Sequence, residues 1–447
     1  MDKKQTFVNK AQKNKAVSAS NRLLRTGKIA LFWDESFLWG LIAFDVFLQL
    51  GLDFDLLTSS DIQTGALRKY DAIFVPGGWA SNKIKALGKE GQIRIKDFVK
   101  RGGSYIGFCG GAGLALEHKD GLSLVPVSRK PSKVRLPSFS GKIKLHREIK
   151  DHPIWKGVPD DIAFHAWWPG QFSILNDDKV NIIATYGAPE DGSYVADLKI
   201  SPNMDWDELE RRYNTNLNPC RIKNEPAVLE STFGKGKVFL SYLHFETPED
   251  TYGHKVLLNI FDYLTDGRVR PVSASKDVEI NVYKTNPLKN SEMTRRCASI
   301  ASELERYAHD LISFGKHYSL WFWRNQWIIH WQRGVRGIEY CTIYSMFKRI
   351  ASLSKIIEDI GEVDLYAKLV ELKELSIPFF DKAKRLLALE HKALSSGPIS
   401  PLEITDENIR SLREELFSNS KSFGGYFKKI IDKADEILLP LLNLAKR

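Results

Sequence analysis

A lone cysteine with a glycine two residues before it and glycines one and two residues after it constrains this chain more than any other feature. The stretch reads Ser104-Tyr105-Ile106-Gly107-Phe108-Cys109-Gly110-Gly111-Ala112-Gly113-Leu114. It opens as an apolar run fit for a strand and closes as a small-residue run fit to start a helix. A strand turning that sharply into a helix leaves its central residue strained and its side chain displayed, and only tiny neighbours let the backbones approach. The sulfur then sits at a helix N-terminus, where unpaired N–H groups and the dipole favour thiolate. The motif alone is equally compatible with a buried cysteine in a glycine-rich turn, because free cysteine is among the most buried residue types.

The flanking text fixes the fold class. Lys28–Trp33, Phe54–Leu57 and Asp71–Pro76 are apolar runs of strand length, separated by helical stretches at Phe37–Leu50 and Gly91–Lys100. Strands alternating with helices predict a parallel sheet covered on both faces, with ligands gathering at the carboxyl ends of its strands. Pro76-Gly77-Gly78 and Cys109 both stand at such ends, so they are expected to be neighbours. Residues 121–240 are richer in strand, with a hairpin from Ala227 to Tyr242 turning at Phe233-Gly234-Lys235-Gly236, and Thr251–Leu264 reads as the closing helix.

His244 and Glu246 follow the last of these strands, and side chains two apart in extended chain share a side. A histidine beside Cys109 can move its proton, and a carboxylate can hold the imidazole in one tautomer. Backbone N–H groups of Gly77 or Gly78, together with Gly110, are the natural oxyanion donors. Singly, His244 reads as a satisfied loop histidine and Glu246 as a capping acid; together, at strand ends of one sheet, they read as a site.

Gly107-Phe108-Cys109-Gly110-Gly111, followed far downstream by His244-Phe245-Glu246, resembles the class I glutamine amidotransferase-like superfamily. Within it, the chain is most similar to the amidotransferase-like domain at the N-terminus of biotin–protein ligases. Phe74-Val75-Pro76-Gly77-Gly78, Trp168-Pro169-Gly170-Gln171-Phe172, and Pro226–Glu230 running through Gly234–Val238 to Ser241 carry the same likeness, over roughly residues 28–266. The resemblance implies a flavodoxin-like sheet with Cys109 as nucleophile, His244 as base and Glu246 as orienter. Gly77, Gly78 and Gly110 would line the oxyanion site and Trp168 the substrate pocket, with no cofactor and no metal. Two positions depart from the pattern of glutamine-hydrolysing members: Gly113 stands where they carry Gln, and Phe245 where Pro is common. The chain also lacks a Gly-Arg-rich biotinyl-adenylate loop, so it is not expected to attach biotin. The expected activity is a thiol-dependent amidase or acyl transfer on a small amide or acyl substrate. A non-catalytic binding scaffold or a cysteine redox sensor in the same pocket is the alternative.

The remainder of the chain divides around this domain. At 447 residues it exceeds one ordinary core. Residues 1–27 read as a flexible basic tail, 267–292 as a linker, and 293–447 as an all-α bundle that offers a surface for a protein partner. Trp323, Trp327 and Trp331, four apart, are expected on one helical face, as core or helix seam rather than as an interfacial membrane helix. The formal charge of +10 suits a basic solvated surface, and nucleic acid is not an expected partner. Four scattered cysteines without a paired motif imply reduced thiols and a cytoplasmic location.

Overall fold

In the computed structural model, residues 27–271, 292–355, 362–400, 406–418 and 422–446 are described. The expected tail at 1–27 and linker at 267–292 lie almost wholly outside them. The first four strands are β1 (Ile29–Phe32), β2 (Phe54–Leu57), β3 (Ala72–Val75) and β4 (Ser104–Phe108). Next come β5 (Val127–Arg129), β6 (Phe139–Arg147), β7 (Phe164–Trp167), β8 (Phe172–Ile174) and β9 (Val180–Pro189). The α/β part ends with β10 (Tyr194–Val195), β11 (Leu198–Lys199), β12 (Pro226–Phe233) and β13 (Gly236–Ser241).

Strands β2-β1-β3-β4-β13 stand side by side and all run parallel. This is the flavodoxin-like order, in which the chain reverses direction across the sheet beside β1 and β3. Burial explains these apolar strands, since every residue of β1, β3 and β4 is buried, Ser104 being their one polar side chain. Helix Phe37–Gln49 covers one face through an aromatic cluster in which Phe47 meets Phe54, Phe74 and Phe261 edge-on. Beyond β13 the sheet continues antiparallel through β12, β9 and β6, and β6 also pairs with β7. Helix Thr251–Leu264 closes this part; its start is fixed by the Asp250 carboxylate, which accepts the Gly253 N–H at 2.9 Å.

The C-terminal region is helical, with segments Glu292–His317, Gly337–Leu353, Glu362–Leu394, Glu407–Phe417 and Gly425–Ala445. It is not all-α. The tryptophan stripe expected on one helix forms instead a two-stranded hairpin, β14 (Trp321–Trp323) paired with β15 (Ile329–Trp331). The Asn325 side chain causes the reversal by accepting the N–H groups of Trp327 and Ile328, the local bonding that turns a chain out of a helix.

The helical region packs directly on the α/β part. Asp435 accepts the Trp33 indole N–H at 2.8 Å, and Lys428 pairs with Glu35 at 2.9 Å. Lys446 pairs with Asp55 at 3.1 Å, and Phe423 packs against Phe37 and Trp79. Among the described residues no helix is long and apolar enough to cross a membrane.

Candidate active site

β4 delivers Cys109 to the carboxyl edge of the sheet, and the backbone there takes the conformation the glycines require. Cys109 has φ +48° and ψ −106°, a region L-residues avoid, with the helix Gly110–Ala115 starting immediately after it. A Cβ on Gly110 would lie 1.8 Å from the Gly78 carbonyl oxygen, and one on Gly111 would lie 1.9 Å from that of Val75. The β3 loop and the elbow therefore touch backbone to backbone, as expected of two adjacent strand ends. The Cys109 N–H is held by the Ser241 carbonyl at 2.8 Å, which ties the elbow to β13. Cys109 as a residue is half-buried.

β13 then leads into the loop that carries the histidine. The His244 N–H bonds to the His165 carbonyl of β7, and Thr247 returns both its N–H and its hydroxyl to the His244 carbonyl. Glu246 Oε1 lies 2.7 Å from His244 Nδ1, and both side chains are fully buried. This leaves Nε2 as the edge that faces Cys109, and no protein group satisfies it with an ordinary hydrogen bond. Burial would depress the imidazole, but the Glu246 carboxylate and Cys109 outweigh it and raise the pKa to about 10. Trp39 stacks on the imidazole at 4.3 Å between ring centroids and also fills the space where a Gly77 Cβ would sit. Phe245, at the position where the resemblance implies proline, is buried edge-on against Phe108 and Phe164.

Gly78 has φ +105°, and the Glu35 carbonyl stands 2.6 Å from where its Cβ would be. Among the described residues no acceptor takes the N–H of Gly78 or of Gly110. Both belong to the backbone contact between the β3 loop and the elbow. Trp168, by contrast, turns to the C-terminal hairpin with φ +50°, its ring 4.7 Å from that of Trp331. The cavity of about 390 Å³ lined by Tyr213, Arg333 and His391 shares no residue with the Cys109–His244–Glu246 group.

Sequence reasoning missed Lys83. Its ammonium is fully buried and donates to Ser36 Oγ, with Glu35, Asp34 and Cys109 as its charged neighbours. Burial lowers it to about 7 against the pull of those acids. It supports the turn in which Glu35 and Phe37 both adopt positive φ. A single lysine at the polar start of a helix gives no sign of this in the text, because its partners come from another segment.

A family model described as the N-terminal region of biotin–protein ligase matches residues 57–119, a stretch that contains β3, Gly77, Gly78 and the Cys109 elbow. No curated protein matches the chain. Among solved structures, the chain is similar to a GMP synthase subunit-like protein from Thermoplasma acidophilum. That likeness has 17% identity and a TM-score of 0.36, covering 54% of this chain and 95% of the other. It is also similar to a ThuA-like protein from Bacteroides uniformis, at 13% identity and a TM-score of 0.35, covering 53% and 90%.

Proposed function

We propose that this chain is a thiol-dependent amidase or acyl-transfer enzyme with Cys109, His244 and Glu246 as its catalytic residues. The observation that carries the reading is the buried Glu246–His244 pair, with Nε2 turned to a cysteine held in a strained elbow. The match of residues 57–119 to the family model of the biotin–protein ligase N-terminal region, which the elbow and the His-x-Glu pair resemble, supports the same general class.

The chemistry follows from the charges. Glu246 accepts from Nδ1–H and stabilises the imidazolium, which favours a thiolate on Cys109. The sulfur attacks the substrate carbonyl, and the oxyanion takes the N–H groups of Gly78 and Gly110. Collapse breaks the C–N bond, and the departing amine takes a proton from Nε2. Water, giving a proton back to His244, then cleaves the thioester and releases the acid; an amine in its place would complete a transfer. Glutamine is not singled out as substrate, because Gly113 supplies no side chain to hold it.

Incubation with a panel of small amides and thioesters, followed by mass analysis of the Cys109 peptide, tests the reading. It predicts an acyl adduct on Cys109 that accumulates in His244→Ala with activated thioesters and turns over in the wild type. Absence of any adduct or turnover across the panel would leave the site a binding pocket.

A further inference from the structure

We propose that the flank of the Cys109 site formed by Arg129, Arg135 and Tyr242 is a subsite for a carboxylate, so that the substrate is an anionic amide or acyl compound. This rests on the reading of Cys109 as the nucleophile. Tyr242 directly follows Ser241, the residue that holds the Cys109 N–H. Its ring lies 4.2 Å from that of Phe172, and Phe172 is the strand partner of Arg129. Gln171 Oε1 accepts the Leu136 N–H at 2.8 Å, which brings Arg135 to the same edge. Gly170 is needed here, because a Cβ would lie 2.6 Å from the Tyr242 oxygen.

Three features of this corner call for an anion. The Tyr242 hydroxyl is buried and has no partner, and Arg135 Nε is likewise buried and unpartnered. Arg129, exposed at the end of β5, and the half-buried Arg135 put two like charges at this edge, and burial, then Arg129, hold Arg135 below its usual value. Among the described residues no carboxylate pairs with either arginine. Ser241 pairs with Phe108 in parallel register and holds the Cys109 N–H, so Tyr242 and Cys109 are the next residues on adjacent strand ends and the corner borders the thiol. A carboxylate would accept from a guanidinium fork and from the phenol, satisfying donors that the protein leaves open.

The test compares two alkylating reagents that differ in charge, iodoacetate and iodoacetamide, and likewise N-carboxyethylmaleimide and N-hydroxyethylmaleimide. Rates at Cys109 are read by peptide mass analysis and expressed as the anionic-to-neutral ratio, relative to that of the neutral thiol N-acetylcysteine methyl ester. The expected ratio at Cys109 is at least about fivefold above the reference thiol for one or both pairs. It should fall to the reference value in the double variant Arg129→Gln/Arg135→Gln, whose folding is checked by its thermal transition. A wild-type ratio equal to the reference thiol's, or an elevated ratio that survives in the double variant, would overturn the proposal. The neutral-reagent rate reports the nucleophile reading separately, since it contains no contribution from reagent charge.

Discussion

Trp33 and Asp435, 402 residues apart in the chain, share a hydrogen bond of 2.8 Å. It joins the last helix to the residue that follows β1, two positions before the Glu35 turn that packs on Gly78. The helical region is thus fastened to the turn that packs on Gly78, beside the Cys109 elbow.

Asp435 is held well above the usual carboxylate range by burial, against the Trp33 bond and with Asp34, Asp432 and Glu35 adding to the rise. A raised acid binds its proton more tightly in the native state, so stability falls as pH climbs above the ordinary carboxylate value. Asp435→Asn keeps an acceptor for Trp33 and removes that cost. Its stability relative to wild type is expected to be higher at pH 7 and to lose the advantage near pH 4, as read by urea unfolding at both.

The glycines of the elbow differ in what they permit. Gly110→Ala and Gly111→Ala drive a methyl group into backbone carbonyls and are expected to cost about 3 kcal/mol each. Gly113→Ala meets only the Ala80 Cβ at 3.5 Å, an ordinary contact, and gains helix propensity of up to about 1 kcal/mol. Thermal unfolding of the three variants should separate them by sign.

Lys83 and His244 pull the pH dependence of stability in opposite directions. Lys83 titrates at about 7 in the folded chain against an ordinary 10.5, so between these values the unfolded chain holds the extra proton and stability rises with pH. His244 titrates at about 10 against an ordinary 6.5, so its contribution is full below 6.5 and is lost as pH rises toward 10. The two slopes, each about 1.4 kcal/mol per pH unit, offset. Between pH 7 and 10, Lys83→Met should lose stability with rising pH, His244→Gln should gain it, and the wild type should be nearly flat. Urea titrations at unit pH intervals read this directly.

Much of the α/β fold was legible because its signals are local. The apolar runs of β1, β3 and β4, the glycines around Cys109 and the helix Thr251–Leu264 rest on signals within a few residues of where they are read. The proximity of Cys109 to His244 and Glu246 was legible only through strand order, since all three stand beyond carboxyl ends of neighbouring strands. The tryptophan hairpin was misread because aromatic residues spaced by four also fit a strand pair, and Asn325 decides between them through two backbone bonds. Trp39, Lys83 and Asp435 were invisible, because each acts on a segment distant in the chain.

Glu246→Gln keeps a group opposite Nδ1 and removes the charge that opposes burial of the imidazolium. His244 should then titrate lower, and the alkylation of Cys109 at pH 7 should slow by about tenfold or more, with the Trp39 stack still holding the ring in place.

The most direct measurement is the iodoacetamide rate of Cys109 at pH 7, in wild type and His244→Ala, with solvent-exposed Cys220 of the same molecule as reference. The account predicts that Cys109 reacts at least about tenfold faster than Cys220 although it is the less exposed thiol, and that this excess disappears in His244→Ala. Equal rates at the two cysteines in the wild type, or an excess untouched by the loss of the imidazole, would contradict it.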